Sequence, residues 1–157
     1  MKKIVAAFAA ACVVVSAAVA AQEPPAGAAE LAALQQAAKV DKRALVAEKL
    51  ALTPAEATKF WPAYDACQRD FAQVTRRRSV ALEGLVGRDG PLTDTYARSV
   101  INELVAIEDA EVRALRKCAA AMQRAIPPRK AARYLQLENK LRTAQDYEIA
   151  LAFPLGK

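Results

Sequence analysis

The sequence predicts an all-α protein in which a long antiparallel helical hairpin, residues 54–86 and 94–125, is flanked by an N-terminal and a C-terminal helix. Alanine and leucine dominate the chain and glycine occurs only five times, a composition that favours helices. Apolar residues recur every three or four positions through both long segments, which is the spacing of one helical face. The turn signal Gly87-Arg88-Asp89-Gly90-Pro91 separates the two segments.

The first 21 residues predict a cleaved secretory signal peptide. Lys2 and Lys3 provide the positive start, and an apolar run follows from Ile4 to Val19, before small residues that suit cleavage. This run is short for a helix that spans a membrane. We therefore expect a periplasmic or secreted protein. A retained membrane anchor and a lipoprotein attached at Cys12 are the less favoured alternatives.

A leader and the first helix follow the expected cleavage site. Residues 22–27 contain two prolines and predict a flexible leader, and residues 28–157 predict a single helical domain. The alanine-rich segment 28–50 predicts the first helix. Its middle, residues 39–43, is polar, so the segment forms either one helix or two shorter pieces with Asp41 as the N-cap of the second.

The second helix begins with a capping box. Thr53 accepts a hydrogen bond from the Glu56 backbone, Glu56 reaches back, and Pro54 occupies the first helical position, where its missing N–H costs nothing. The apolar face of this helix is expected at Phe60, Tyr64, Cys67, Phe71, Val74, Ala81 and Leu85.

The third helix is expected to begin after Thr93 or Asp94, and the fourth after Pro127-Pro128. The apolar face of the third helix is expected at Val100, Leu104, Ile107, Ala114, Cys118 and Met122. The fourth helix carries Tyr134, Leu137, Leu141, Ala144 and Leu151.

Cys67 and Cys118 face each other if the hairpin is antiparallel. Pairing positions whose numbers sum to 185 aligns the two apolar faces and places these cysteines opposite one another. A structural disulfide is favoured, since an exported chain permits it. Two buried free thiols and a redox-active pair are the alternatives, although no Cys-x-x-Cys motif is present to activate a thiol.

The charge and motif content argue against several classes of protein. The net charge is +6, and it falls to +4 if Lys2 and Lys3 leave with the signal peptide, which is too mild to indicate a nucleic-acid partner. Histidine is absent, and we find no nucleophile elbow, phosphate-binding loop or metal-ligand spacing. The sequence predicts no enzyme activity, no cofactor and no metal site.

Several side chains are candidates for a client- or partner-binding surface. Trp61 lies off the apolar face, so it either packs against the first or fourth helix or stays partly exposed. The arginine run at 76–78 is either a docking surface for acidic clients, phospholipid headgroups or a partner domain, or a set of ion pairs with acids at 108–111 of the third helix. The fourth helix is basic, which suits an acidic partner or membrane surface, or simply a solvated face. The candidates are Trp61, Arg76, Arg77, Arg129, Lys130 and Arg133.

The chain also resembles a known group of exported proteins. Leu52-Thr53-Pro54-Ala55-Glu56 resembles the Leu-Thr-x-x-Gln motif of the Spy/CpxP group, with glutamate in place of glutamine. The strings at 60–65 and 130–140 are similar to a set of mostly uncharacterised exported helical proteins of the same design. The resemblance covers roughly residues 45–154.

This resemblance implies a cradle of long helices, often dimeric, that binds unfolded envelope proteins without ATP or damps a stress-sensing partner. The sequence thus predicts an ATP-independent periplasmic chaperone or envelope-stress adaptor, with unfolded or envelope proteins, a membrane sensor or a second copy of the chain as partners. The alternatives are a regulatory ligand of a membrane sensor or anti-sigma system, and a structural envelope protein without chaperone activity.

Overall fold

The computed structural model describes residues 26–155, and these form four α-helices and no strand. The all-α hairpin with two flanking helices is confirmed. The helices are α1 (Ala26–Leu50), α2 (Pro54–Val86), α3 (Asp94–Ala125) and α4 (Pro128–Ala152). The expected signal peptide and residues 22–25 of the expected leader lie outside the described residues.

Helix α1 is broken at Asp41. The backbone there is extended (φ −156°, ψ 95°), and the Asp41 carboxylate accepts a hydrogen bond from the backbone N–H of Ala44 at 2.9 Å. This is the geometry of an N-cap. Of the two interpretations of the polar middle, the one with two helical pieces and Asp41 as a cap is therefore confirmed.

Helix α2 begins with the predicted capping box. The Thr53 backbone N–H donates to the Glu56 carboxylate at 2.8 Å, and the Glu56 backbone N–H donates to Thr53 Oγ1 at 3.3 Å. The helix then continues through Pro62 to Val86. It ends where the N–H of Gly87 donates to the carbonyl of Glu83 at 2.8 Å.

A disulfide between Cys67 and Cys118 fixes the register of α2 against α3. Their Cα atoms are 5.2 Å apart, and Lys117 Nζ lies 2.8 Å from the carboxylate of Asp70, which gives nearly the same register. The antiparallel pairing and the structural disulfide are both confirmed.

Helix α4 runs parallel to α2. It packs against the end of the hairpin opposite the turn, which we call the base. The rings of Phe60 and Tyr134 are 5.4 Å apart, and Arg78 Nη1 lies 2.8 Å from the carboxylate of Asp146, near the other end of α4. Residues of all four helices join in one apolar core. Its largest fully buried apolar side chains are Val46, Phe60, Ile107, Cys118, Met122 and Tyr134.

Helix α1 contacts α4 on both sides of its break. Before the break, Glu30 pairs with Lys140 and Lys39 with Glu148, each at 2.8–2.9 Å. After the break, Lys42 pairs with Glu138. The numbering rises on both helices in the first piece, so that piece runs parallel to α4, and the chain then turns back.

The far end of the hairpin has no buried residue. Between positions 75 and 106, which we call the distal hairpin, every residue is exposed or only partly buried. The predicted apolar positions Ala81, Leu85, Val100 and Leu104 are only half-buried there. Leu151 of α4 is 70% exposed, unlike Tyr134, Leu137, Leu141 and Ala144, which are buried. No helix within residues 26–155 has an apolar stretch long enough to cross a bilayer.

Candidate functional site

Trp61 packs against α1. Its ring is half-buried, and the guanidinium of Arg43 lies 4.2 Å from the ring centroid. The rings of Phe60 and Tyr64 meet it edge-on at 4.9 and 5.4 Å. A guanidinium over an indole face is a favourable cation–π contact, so most of this tryptophan is engaged within the fold.

The arginine run splits into three different environments. Arg76 is exposed. Arg77 forms a two-point ion pair with Glu103 of α3. Arg78 is largely buried and its guanidinium reaches Asp146 at 2.8 Å, Glu108 at 3.0 Å and also Glu111. The predicted pairing of the run with acids at 108–111 therefore holds for Arg78, whereas the partner of Arg77 lies further towards the tip.

The three basic residues at the start of α4 also differ. Lys130 Nζ donates to the carbonyl of Ala51 and to the carboxylate of Glu56, both at 2.7 Å. This bond and that from the Thr53 backbone hold the pKa of Glu56 below its usual range. Arg129 and Arg133 are exposed. The six candidates thus fall into three groups, at the start of α4, in the run at 76–78 and at Trp61 beside α1, and they do not form one site.

A buried carboxylate, which the sequence did not indicate, joins α1, α2 and α4. Glu138 is 2% exposed. Its carboxylate accepts from Lys42 Nζ at 2.8 Å and from Gln68 Nε2 at 3.0 Å. Gln68 Nε2 also lies 3.2 Å from the hydroxyl of Tyr134. The only signal in the sequence was that Glu138 follows Tyr134 by four positions and precedes Leu141 by three, which places it on the buried face.

This network has the chemistry of a structural element. Burial, reinforced by the negative charge of Glu138, raises the pKa of Tyr64 to about 12 and raises that of Tyr134 as well. Both phenols therefore stay protonated at neutral pH, and the carboxylate is held by a cation and an amide. No side-chain polar atom buried within the described residues lacks a hydrogen-bond partner, so the network is satisfied by its own members.

A second apolar surface runs along α3, outside the predicted apolar face. We call it the α3 stripe. Its members lie four, seven and three positions apart, a spacing that keeps them on one side of a helix. They are Ile101, Val105, Val112 and Leu115, which are 59, 59, 46 and 37% exposed.

Charged residues border the α3 stripe. Glu108 occupies the position between Val105 and Val112, and it pairs with Arg78. Arg98 and Arg116 lie three positions before Ile101 and one after Leu115, are exposed, and have no carboxylate partner among the described residues. The stripe therefore consists of two apolar pairs separated by the exposed carboxylate of Glu108. It spans about 20 Å at 1.5 Å per residue and has a free guanidinium near each end.

The described residues contain no group of three or more acidic, cysteine or histidine side chains that could hold a metal ion. No protein-family model matches the chain, and neither a curated protein nor a solved structure is similar to it at a significant level.

Proposed function

We propose that the protein is an ATP-independent chaperone or stress adaptor of the periplasm, which holds unfolded segments of envelope proteins on the α3 stripe. The observation that carries the proposal is the line of exposed aliphatic side chains on α3, flanked by Arg98 and Arg116. Exposed apolar strips rimmed by charge are typical of surfaces that bind other proteins. The resemblance to the Spy/CpxP group around Leu52–Glu56 supports the same function.

The size of the stripe suits transient binding. Full burial of one valine, leucine or isoleucine side chain is worth about 1.5–3 kcal/mol, and roughly half of each side chain is exposed here. Each contact therefore contributes about 1 kcal/mol before the cost of association, so each one is weak by itself. Contacts of this strength release a client without an energy source.

The cations add long-range attraction. The chain is mildly basic, which speeds encounter with acidic clients. Of the six residues suggested by the sequence, Arg76, Arg129 and Arg133 are exposed and have no carboxylate partner among the described residues. We propose them as outlying charged contacts of a bound chain. Trp61, Arg77 and Lys130 can contribute only if they leave their present partners.

The test is an aggregation assay with an unrelated unfolding protein. The chain without residues 1–21 should suppress aggregation at near-stoichiometric ratio, at low and at moderate salt. Ile101→Ser with Val105→Ser should weaken suppression several-fold. Val40→Ser with Val80→Ser is the matched control, because these valines are also well exposed but lie outside the stripe.

Failure to suppress aggregation at either salt concentration would refute the proposal. Equal loss in both variant pairs would show that general surface hydrophobicity, not the α3 stripe, is responsible. Crosslinking in the periplasm adds a further test: a broad set of proteins is expected, and one dominant partner would instead favour a regulatory ligand of a sensor.

A further inference from the structure

A basic groove runs between α2 and α3, on a side of the hairpin where no residue of α1 or α4 lines it. Its volume is about 250 Å³. The floor consists of small side chains, Val74, Ala110 and Ala114, and the rim carries Arg77, Arg113 and Lys117. Arg113 has no carboxylate partner among the described residues.

The positive rim continues towards the base of the hairpin. Lys59 lies eleven positions before Asp70, a groove residue, and Arg124 lies seven positions after Lys117, so helical spacing keeps both on this side. Both are exposed. Among the described residues three acids oppose the five cations: Asp70 and Glu103, through Lys117 and Arg77, and Asp109, four positions before Arg113. The surface keeps a net charge of +2 along about 27 Å of α2.

The chemistry of the groove favours an anionic surface over a protein partner. Stable protein interfaces depend on buried aromatic or large aliphatic anchors, and the groove floor offers only alanine and valine. A layer of phosphate headgroups needs only closely spaced cations, each of which strengthens binding about fivefold at low salt. We propose that the basic groove holds the protein on the anionic headgroups of a phospholipid bilayer.

This contact leaves other surfaces available. Arg113 and Arg124 are not neighbours of Ile101 or Val105 on the helix, since they lie on another side of α3 by helical spacing. Lipid binding and client binding are therefore separable by substitution. A protein bound to a bilayer through the groove would therefore present the α3 stripe at the membrane surface.

The test is co-sedimentation of the chain without residues 1–21 with vesicles, because the apolar N-terminal run would itself bind lipid. Vesicles of 30% phosphatidylglycerol in phosphatidylcholine are compared with pure phosphatidylcholine, at 50 and 300 mM NaCl. Binding is expected only to the anionic vesicles, and it should fall at least tenfold at the higher salt, because exposed charges are screened.

Two variant pairs locate the contact. Arg113→Glu with Arg124→Glu should abolish vesicle binding. Arg129→Glu with Arg133→Glu changes the net charge equally at exposed helical positions, but Arg133 lines a different groove, between α1 and α4. This second pair should keep at least half of the binding. Circular dichroism and the absence of free thiols show that each variant is folded.

Three outcomes would overturn the proposal: no binding to anionic vesicles at 50 mM NaCl, equal binding to pure phosphatidylcholine, or equal loss in both variant pairs. Capture of an acidic protein without any vesicle binding would assign the groove to a protein partner instead. The aggregation assay distinguishes this proposal from the chaperone function: at moderate salt, where long-range attraction is screened, Arg113→Glu with Arg124→Glu should suppress aggregation as the unsubstituted chain does.

Discussion

The base of the α2–α3 hairpin and its distal part, residues 75–106, are built from the same kind of apolar periodicity but are stabilised differently. At the base, α1 and α4 cover the hairpin, a disulfide joins the helices, and Phe60 and Ile107 are completely buried. In the distal hairpin α2 and α3 pack mainly against each other, and no side chain is fully buried. A helical face becomes a core only where another element covers it.

The comparison shows that the part of the hairpin that stabilises the fold differs from the part that exposes apolar surface. Regions with few buried apolar contacts open more readily than a packed core. Half of the α3 stripe, Ile101 and Val105, lies in the distal hairpin, whereas Val112 and Leu115 lie beside the core. The base thus provides the rigidity, and the less protected end of the hairpin exposes apolar surface. Four predictions test this division, from the largest expected effect to the smallest.

Removal of the disulfide should have the largest effect on the base. The bond closes a loop with a sequence separation of 51, for which the chain-entropy model gives about 4 kcal/mol. Cys67→Ala with Cys118→Ala should lower the free energy of unfolding, measured in urea, by close to that amount. The unsubstituted protein with reductant is the control and should behave alike. A loss below about 1 kcal/mol would mean that packing alone fixes the base.

Two isoleucines on α3 provide a matched pair across the boundary. Ile107 is 0% exposed and Ile101 is 59% exposed. Ile107→Ala should cost about 3 kcal/mol, because it leaves a cavity in the core, whereas Ile101→Ala should cost less than about 0.5 kcal/mol. Urea unfolding measures both. Similar costs for the two would contradict the contrast between the base and the distal hairpin.

The buried ion pair between α1 and α4 should contribute more to the free energy of unfolding than an exposed pair between the same two helices. Lys42→Met leaves the carboxylate of Glu138 buried without its cation, and since Lys42 is partly open to water we expect a cost of about 2 kcal/mol. Lys39→Met breaks the exposed pair with Glu148 and should cost less than about 0.5 kcal/mol.

Adding Glu138→Gln to Lys42→Met should restore part of the lost stability, because the neutral amide needs no cation. A double variant less stable than Lys42→Met alone would mean that the hydrogen bonds of Glu138 to Gln68 outweigh its charge.

The smallest effect concerns acid stability. The pKa of Glu56, held by Lys130 at the base, and that of Glu103, held by Arg77 in the distal hairpin, both lie below the usual 4.5. A carboxyl whose pKa is lowered in the folded state stabilises the fold above the unfolded value, and this stabilisation is lost as the pH falls through the folded pKa. Glu56→Gln should therefore flatten the decline of unfolding free energy below pH 4.5.

Glu103→Gln sharpens the same comparison. If the distal hairpin opens before the base unfolds, this substitution should change amide exchange of residues 75–106 in acid. The slope of unfolding free energy against pH should stay nearly unchanged.

For Glu56→Gln, an unaltered slope of unfolding free energy against pH would show that the Lys130 contact is not formed in solution.

The sequence by itself predicted the helices, the direction of the hairpin and the positions of Cys67 and Cys118 opposite one another, whereas the structure decided between a disulfide and free thiols. Caps and breakers such as Thr53, Glu56 and Gly87 act within a few residues, so their effect can be predicted without knowing the rest of the fold. The facing positions of the two cysteines follow from aligning two apolar faces across one turn, which also requires only local periodicity.

Only the tertiary structure decided what each face meets. Glu138 is buried because Lys42 and Gln68 come from two other helices, and Arg77 finds Glu103 instead of the acids at 108–111. The α3 stripe and the basic groove are surfaces because neither α1 nor α4 covers them. Apolar or charged spacing defines a face, but whether it lies in the core or at the surface depends on contacts far away in the chain.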